Sequence, residues 1–207
     1  QLSNVALATI ADVMPLREIN KFLIKYLINK NLFDENKIFK ILLELDSRKK
    51  KIDTNDLAYL ISPIINSAGR LDNANEVVEL LTSNNEITLK KISNKLYKLN
   101  LRRKEIEDKI LNEINFKEIK KENGVIFLFN PSFPEGLIGI IAAKLKEYFD
   151  KPCIVLTQSG DVVKGSARST NDFNIGQFIN SAVANKILIS GGGHNLAAGL
   201  TLLNSNI

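Results

Sequence analysis

The sequence predicts an α/β protein, helical through most of its first half and strand-bearing in its second. Two short apolar runs of strand composition, GVIFLFN (124–130) and PCIVLTQ (152–158), flank a helix-patterned segment, EGLIGIIAAKLKEYF (135–149). That is a βαβ pattern, which favours parallel pairing. Ahead of it, from about Glu86 to Asn115, Leu89, Ile92, Leu96, Leu99, Ile106, Ile110 and Ile114 recur at spacings of three, four or seven, with one offset around Arg102 and Arg103. A helix of that reach is about 42 Å long, enough to connect two lobes. With 44% hydrophobic and 25% charged residues over 207 positions, the chain can bury the core of one large or two small domains.

From the start, VALATI (5–10) is β-branched and apolar and suits a buried strand, with Pro15 in the following ADVMPL barring a helix from running on. Residues of about 16 to 30 place Ile19, Phe22, Leu23, Tyr26 and Leu27 at helical spacing, an amphipathic helix. A second helix is expected at about 35 to 45 through Ile38, Ile41, Leu42 and Leu45. A third starts near Thr54, with Asp56 in its first turn, and is expected to end by Pro63. The segment SPIINSAGRLDNA (62–74) reads as a loop, NEVVELLTS as a helix, and the long helix follows. After the βαβ unit come VVKGSARS, a helix near NIGQFINSAV, the loop GGGH and a closing LTLL. The expected divisions are 1–85, a connecting helix at 86–116, and a small α/β domain at 117–207, without internal repeats.

Net charge is +5 with a pI near 9.2. Residues 90 to 121 hold eleven basic against five acidic residues, so this stretch accounts for the whole excess. Such a helix attracts nucleic acid by releasing its counterions, or is simply a solvated face in a Lys-rich chain. No stretch approaches the roughly 18 to 20 apolar residues of a membrane span, and no secretory pattern opens the chain. Cys153, the single cysteine, excludes an internal disulfide and suits a reducing cytoplasm. Placed inside an apolar run, it reads as a packed thiol. The chain does not begin with methionine, which suggests a missing beginning.

Four constellations could carry chemistry. Asp12, expected just after a strand, sits where α/β folds bind ligands and could hold a hard divalent metal, or serve as an Asx-type backbone partner. In NSAGRLD (66–72), Gly69 permits a tight backbone and Arg70 can offer a guanidinium fork to phosphate, or pair with Asp72. KGSARST (164–170) packs a lysine, an arginine and three hydroxyls into seven positions, an anion-binding cluster or an ordinary polar edge strand; it lacks the P-loop spacing. In SGGGH (190–194), bare backbone and the chain's only histidine could meet an anion, or form a glycine turn with a hydrogen-bonded imidazole. No nucleophilic triad can be assembled.

In order, ATIADVMPL, INSAGRLDNANEVVELL, the long helix, EGLIGIIAAKLKEYFDKPCIVL, KGSARS and GGGHNLAAGLTL resemble the RecJ family of single-stranded-DNA exonucleases, in the DHH phosphoesterase superfamily, over nearly the whole chain. The resemblance implies the end of a DHH-type α/β domain, a connecting helix and a small DHH-associated α/β domain with a mixed sheet, with DNA passing between the lobes. It implies a Mn²⁺- or Mg²⁺-dependent 5′ to 3′ exonuclease of DNA repair and recombination, cytoplasmic, monomeric, without a membrane, working with single-stranded DNA and other repair proteins. Asp12 matches the last metal-binding aspartate of the family; Asn66 and Arg70 in NSAGRL, and Lys164, Ser166, Arg168 and Ser169 in KGSARS, match its DNA-facing motifs; Gly192, Gly193 and His194 match the segment that holds the substrate phosphate. Two departures stand out. The earlier aspartates and the Asp-His-His triplet are absent, so this polypeptide is expected to be inactive alone, and SFPEG has Pro134 where the family commonly has histidine. The resemblance would add an oligonucleotide-binding domain, which these 207 residues do not include. The alternatives are a related phosphoesterase acting on short oligonucleotides, and a non-catalytic single-strand-binding fragment.

Overall fold

The structure, a computed structural model, describes residues 1–47, 51–116, 119 and 124–207. By its internal contacts the chain divides into two units, Gln1–Lys104 and Glu105–Ile207. The division falls inside the long helix, one residue past the offset at Arg102 and Arg103. The expected start of the last segment at 117 lies outside the described residues.

The first unit is helical throughout. VALATI is not a strand: it lies in helix α1 (Leu2–Ala11), which buries Ala6, Leu7 and Thr9. A six-residue apolar run carries too little periodicity to separate the two possibilities, and its alanines favour the helix. Helix α2 (Glu18–Asn29) follows, with Leu23 and Leu27 turned to the core as expected but Ile19 and Phe22 turned away. Ile24 and Leu27 are buried, while Ile19 and Phe22 are 77% and 70% exposed and Phe22 stacks on Tyr26 at 6.2 Å. Helix α3 (Lys37–Leu45) starts at Asn36, whose Oδ1 accepts the backbone N–H groups of Ile38 and Phe39.

Pro63 does not end the third helix. A short turn, α4 (Thr54–Asp56), is secured by a reciprocal capping box in which the Asp53 and Asp56 carboxylates each accept the other's backbone N–H. It runs through one π-type segment at Leu57–Ile61 into helix α5 (Ser62–Leu71), where Pro63 occupies the first turn. A proline has no N–H for the helical ladder, and the widened π turn before it, in which the Ser62 N–H reaches back five residues to Leu57 O, makes room for it. The predicted loop is therefore mostly helix. Helix α6 (Asn75–Thr82) leads to the long helix α7 (Glu86–Glu113). The first half of α7 contributes Leu89, Ile92 and Leu96 to a core with Leu27, Phe33, Phe39, Leu42, Leu57, Ile61, Ile64 and Leu80. Tyr97 Oη donates to Asp46 at 3.3 Å, and Lys95 reaches Asp72 at 3.0 Å and Glu76 at 2.6 Å. These contacts tie α7 to three earlier elements.

The second unit is a five-stranded mixed sheet, ordered β1-β2-β3-β5-β4. Strand β1 (Ile126–Phe129) pairs parallel with β2 (Cys153–Ser159) across helix α8 (Ile138–Phe149), as the βαβ pattern predicts. Strand β3 (Val162–Arg168) is antiparallel to both β2 and β5 (Ala197–Leu203), and β4 (Ser190–His194) forms the edge beyond β5. Helix α9 (Ile175–Ala184) starts at Asn174, whose side chain accepts the Gln177 N–H. On its face of the sheet, Ile175 and Ile179 pack with Ile154, Leu156, Val163, Ala167, Ala198 and Leu200. Helix α8 packs on the opposite face, against β2 and β3. Each helix covers part of one face, and α8 leaves the β5-β4 side of its face open. GGGH is thus an edge strand rather than a loop, because its extended glycines pair residue for residue with β5.

Candidate anion-binding face

Side chains alternate across β3, and the alternation separates two functions. Val163, Gly165 and Ala167 point into the α9 core, whereas Lys164, Ser166 and Arg168 fall on the α8 face and stay partly exposed. The strand register extends that face over the edge. Lys164 lies opposite Thr201, which lies opposite Ser190; Ser166 opposite Gly199, opposite Gly192; and Arg168 opposite Ala197, opposite His194. Directly opposed residues share a face, so three rows run side by side, polar or bare except for Ala197, with Thr201 buried within the first.

The glycines on this edge are of two kinds. A methyl group at Gly191 would sit 2.6 Å from Ile179 Cγ2, and one at Gly193 would run into the Ala197 carbonyl oxygen and lie 2.5 Å from Ala198 Cα. Both are glycine because something is already there. At Gly192 and Gly199 a methyl would meet nothing within 4 Å, and neither needs a left-handed backbone. Neither fold nor packing requires glycine at these two positions, which lie opposite each other on the polar face. Glycine in a strand without such a reason marks a site where something approaches the backbone closely.

Arg168 is the charged centre of the face. Its Nη1 donates to Ala167 O at 2.8 Å and Ser166 Oγ at 3.3 Å, and no carboxylate pairs with it among the described residues. Burial disfavours its charged form and lowers its pKa. The first turn of α8 crowds the same spot: a methyl at Gly139 would lie 3.1 Å from Ser166 Oγ and 3.2 Å from Arg168 Nη2. A half-buried guanidinium beside the positive end of a helix is an arrangement that an anion stabilises. His194 supplies a donor in the same row. Its Nδ1 accepts the Leu196 N–H at 3.3 Å, so the neutral ring carries its proton on Nε2, where it can donate outward. Lys164 Nζ donates to Thr201 Oγ1 at 3.1 Å, again without a carboxylate partner among the described residues.

The remaining sequence-derived residues divide. Ser169 is 4% exposed, its hydroxyl donates to Phe173 O at 2.6 Å and its N–H to Leu196 O; it holds the turn after β3 and is not free to bind a ligand. Gly193 serves packing. In the first unit, Asn66 and Arg70 lie one turn apart on the outer side of α5 with Gly69 beside them, so Gly69 is helical rather than a tight turn. The inner side is fixed by Ser67, whose hydroxyl donates to Ile64 O at 2.6 Å and also reaches Leu96 O at 3.3 Å, on α7. Asp72 is held by Lys95, whose hydrogen bond pulls its carboxyl below the ordinary range. Asp12 is exposed and ends α1, not a strand. Among the described residues no group of three or more His, Cys, Asp or Glu is placed to hold a metal ion. The sequence reading missed Gly199 and Thr201; the signal was present in AAGLTL, but only the β4–β5 register gives it meaning.

On α7, Lys90 pairs with Glu86 and Lys109 with Glu113, while Lys95 is engaged as above. Lys91, Lys98 and Arg102 remain exposed at intervals of seven and four, hence on one side of the helix, without a carboxylate partner among the described residues.

Comparison with known proteins bears on the fold and its relatives. Residues 120–206 match the DHHA1 domain family. The chain is 32% identical, over 97% of its length, to the single-stranded-DNA-specific exonuclease RecJ of Salmonella typhimurium, and spans 37% of that protein. It superposes on crystal structures of RecJ from Thermus thermophilus in complex with Mg²⁺ and with Mn²⁺, each with a TM-score of 0.85 and 27% identity over 99% of this chain, covering 32% and 30% of those chains. The chain is thus similar to RecJ over nearly its whole length, and its C-terminal region carries a DHHA1 domain.

Proposed function

We propose that this chain is the substrate-holding portion of a single-stranded-DNA-specific 5′ to 3′ exonuclease acting in DNA repair and recombination, and that the polar face of the β3-β5-β4 sheet grips the DNA phosphate. The observation that carries the proposal is Arg168, half-buried, without a carboxylate, and set in a row with the outward donor of His194. An anion there would gain charge-assisted bonds that are stronger than neutral ones. Asn66 and Arg70 on α5, and the free basic side of α7, supply further backbone contacts of the sequence-independent kind.

Metal-dependent hydrolysis belongs to the same proposal, since the RecJ structures it resembles are complexes with Mg²⁺ and Mn²⁺. Asp12 would be one ligand. A single exposed carboxylate does not make a metal site, and the described residues offer no cluster that does, so no hydrolytic step is drawn through this chain's own side chains. No described helix is long and apolar enough to cross a membrane. A monomer in the cytoplasm, meeting other repair proteins, completes the reading.

Fluorescence anisotropy of a labelled oligothymidylate tests it. Binding should weaken steeply with salt, and Arg168→Ala should weaken it about tenfold or more, as loss of a charge-assisted contact predicts. His194→Ala in an enzyme that includes the metal-binding motifs should lower turnover more than it lowers the melting temperature. Retention of full affinity by Arg168→Ala would remove the basis of the proposal. Degradation of dinucleotides in preference to long strands would favour the short-oligonucleotide alternative.

A further inference from the structure

The sheet of the second unit has two edges, β4 and β1, and they are built differently. Strand β4 is mostly glycine and packs against helix α9. Strand β1 reads Ile-Phe-Leu-Phe, carries no charge or proline to blunt it, and pairs with no strand on its outer side among the described residues. The Ile126 N–H donates to Pro152 O at 2.8 Å and the Asn130 N–H to Leu156 O at 3.1 Å. Backbone groups alternate sides along a strand in a parallel pair. Ile126 and Leu128 therefore face β2, while the N–H and C=O groups of Phe127 and Phe129 point outward.

Both faces beside this edge are hollow. Phe127 and Phe129 lie opposite Ile154 and Leu156, on the α9 side of the sheet. Helix α9 packs on β4 and β5 and leaves the β1 end of that face with a hollow of about 580 Å³, lined by Phe127, Phe129, Phe178, Ile187 and Leu202 and by no charged side chain. Phe127 is 59% exposed there and Ile187 54%. Leu128 lies on the other face, where Ile110, Ile114 and Phe133 join it around a second hollow of about 350 Å³. Its one charged lining residue, Glu113, is engaged by Lys109.

We propose that β1 is a docking edge for an extended apolar peptide of a partner protein, which adds to the five-stranded sheet as a further strand. The peptide's main chain bonds to Phe127 and Phe129, and its side chains alternate into the two hollows. The recognised segment is therefore apolar at every position over about four residues, rather than at every other one. A second copy of this chain is the poorer occupant. A stable dimer buries about 1,200–2,000 Å², and a four-residue edge about 13 Å long is too small a meeting place for two folded bodies. A peptide has no folded body to keep away, so both of its faces are free to enter the hollows. The larger hollow lies on the opposite face of the sheet from Lys164 and Arg168, so the inference is independent of any contact with DNA.

The test is titration of the chain with a fluorescein-labelled, end-capped peptide whose core is Val-Phe-Val-Phe, flanked by lysines that exclude simple charge attraction to a basic chain. Binding should protect the Phe127 and Phe129 amides from hydrogen exchange and leave those of Ile126 and Leu128 unchanged. Methylating the backbone nitrogens of both peptide phenylalanines, or of both valines, should abolish binding in one case and spare it in the other, because only alternate N–H groups meet the edge. Phe127→Lys should weaken binding about tenfold or more while the melting temperature stays level, since a lysine blunts an edge and this side chain is largely in solvent. No binding at about 1 mM peptide, binding without protection of those two amides, equal binding of the two methylated peptides, or full affinity in Phe127→Lys would each overturn the proposal. A dimer seen in sedimentation that the peptide dissociates would assign the edge to a second copy and overturn the partner.

Discussion

Single residues on the edge strand carry opposite demands within three positions. Gly193→Ala drives a methyl into the Ala197 carbonyl and should cost about 1–3 kcal/mol of stability. Gly192→Ala meets nothing and should stabilise by about 0.5–1 kcal/mol through lower chain entropy. Chemical denaturation of the two variants checks the contrast, and equal effects would mean that the strand pairing is misread. Cys153 is another residue whose surroundings decide its chemistry. It is fully buried in β2, its Sγ lies 3.2 Å from Lys151 O, and burial pushes its pKa up to about 11. At pH 8 only about one thiol in a thousand is ionised, so a thiolate-specific reagent should label it only after unfolding; fast labelling of the folded chain would contradict that. Sequence reading foresaw the packed cysteine and picked out Arg168 and His194 as candidates, because charge and composition are local properties. It could not separate Gly192 from Gly193, since their difference is which side of the sheet each faces.

At the scale of elements, the long helix was legible and the short ones less so. Twenty-eight residues give α7 enough apolar repeats to fix its period, and its offset at Arg102 and Arg103 marks the division between the units. Six residues of VALATI give no such period. The exposed Ile19–Phe22 strip of α2 shows a related limit: helical spacing reveals that a helix is amphipathic, but with apolar residues on two sides the partner decides which side is covered. The basic side of α7 carries a measurable consequence. If Lys91, Lys98 and Arg102 contact DNA phosphates, replacing all three with alanine should reduce the slope of log K against log salt by about 2, at roughly 0.7 per single-strand contact. An unchanged slope in salt-dependent anisotropy would make them a solvated face.

For the molecule as a whole, the chain sets Lys164, Arg168 and His194 on one face of a sheet and lacks a carboxylate–histidine cluster among its described residues. Incubated alone with single-stranded DNA and Mn²⁺ or Mg²⁺, it should release no nucleotides above background, and metal-dependent release would show that the metal ligands were misjudged. The sequence by itself determined the α/β character of the second unit, the long helix, the cationic positions and, through the order of its motifs, the similarity to RecJ. These are properties of composition and period, which a chain carries before it folds. Only tertiary structure decided that Pro63 lies within a helix, that GGGH is a strand, and that Lys164, Arg168, Gly192, Gly199 and His194 share one face. Those facts depend on the register of β3 on β5 and of β5 on β4, where a shift of one residue sends every side chain to the other side, and no local pattern fixes that register.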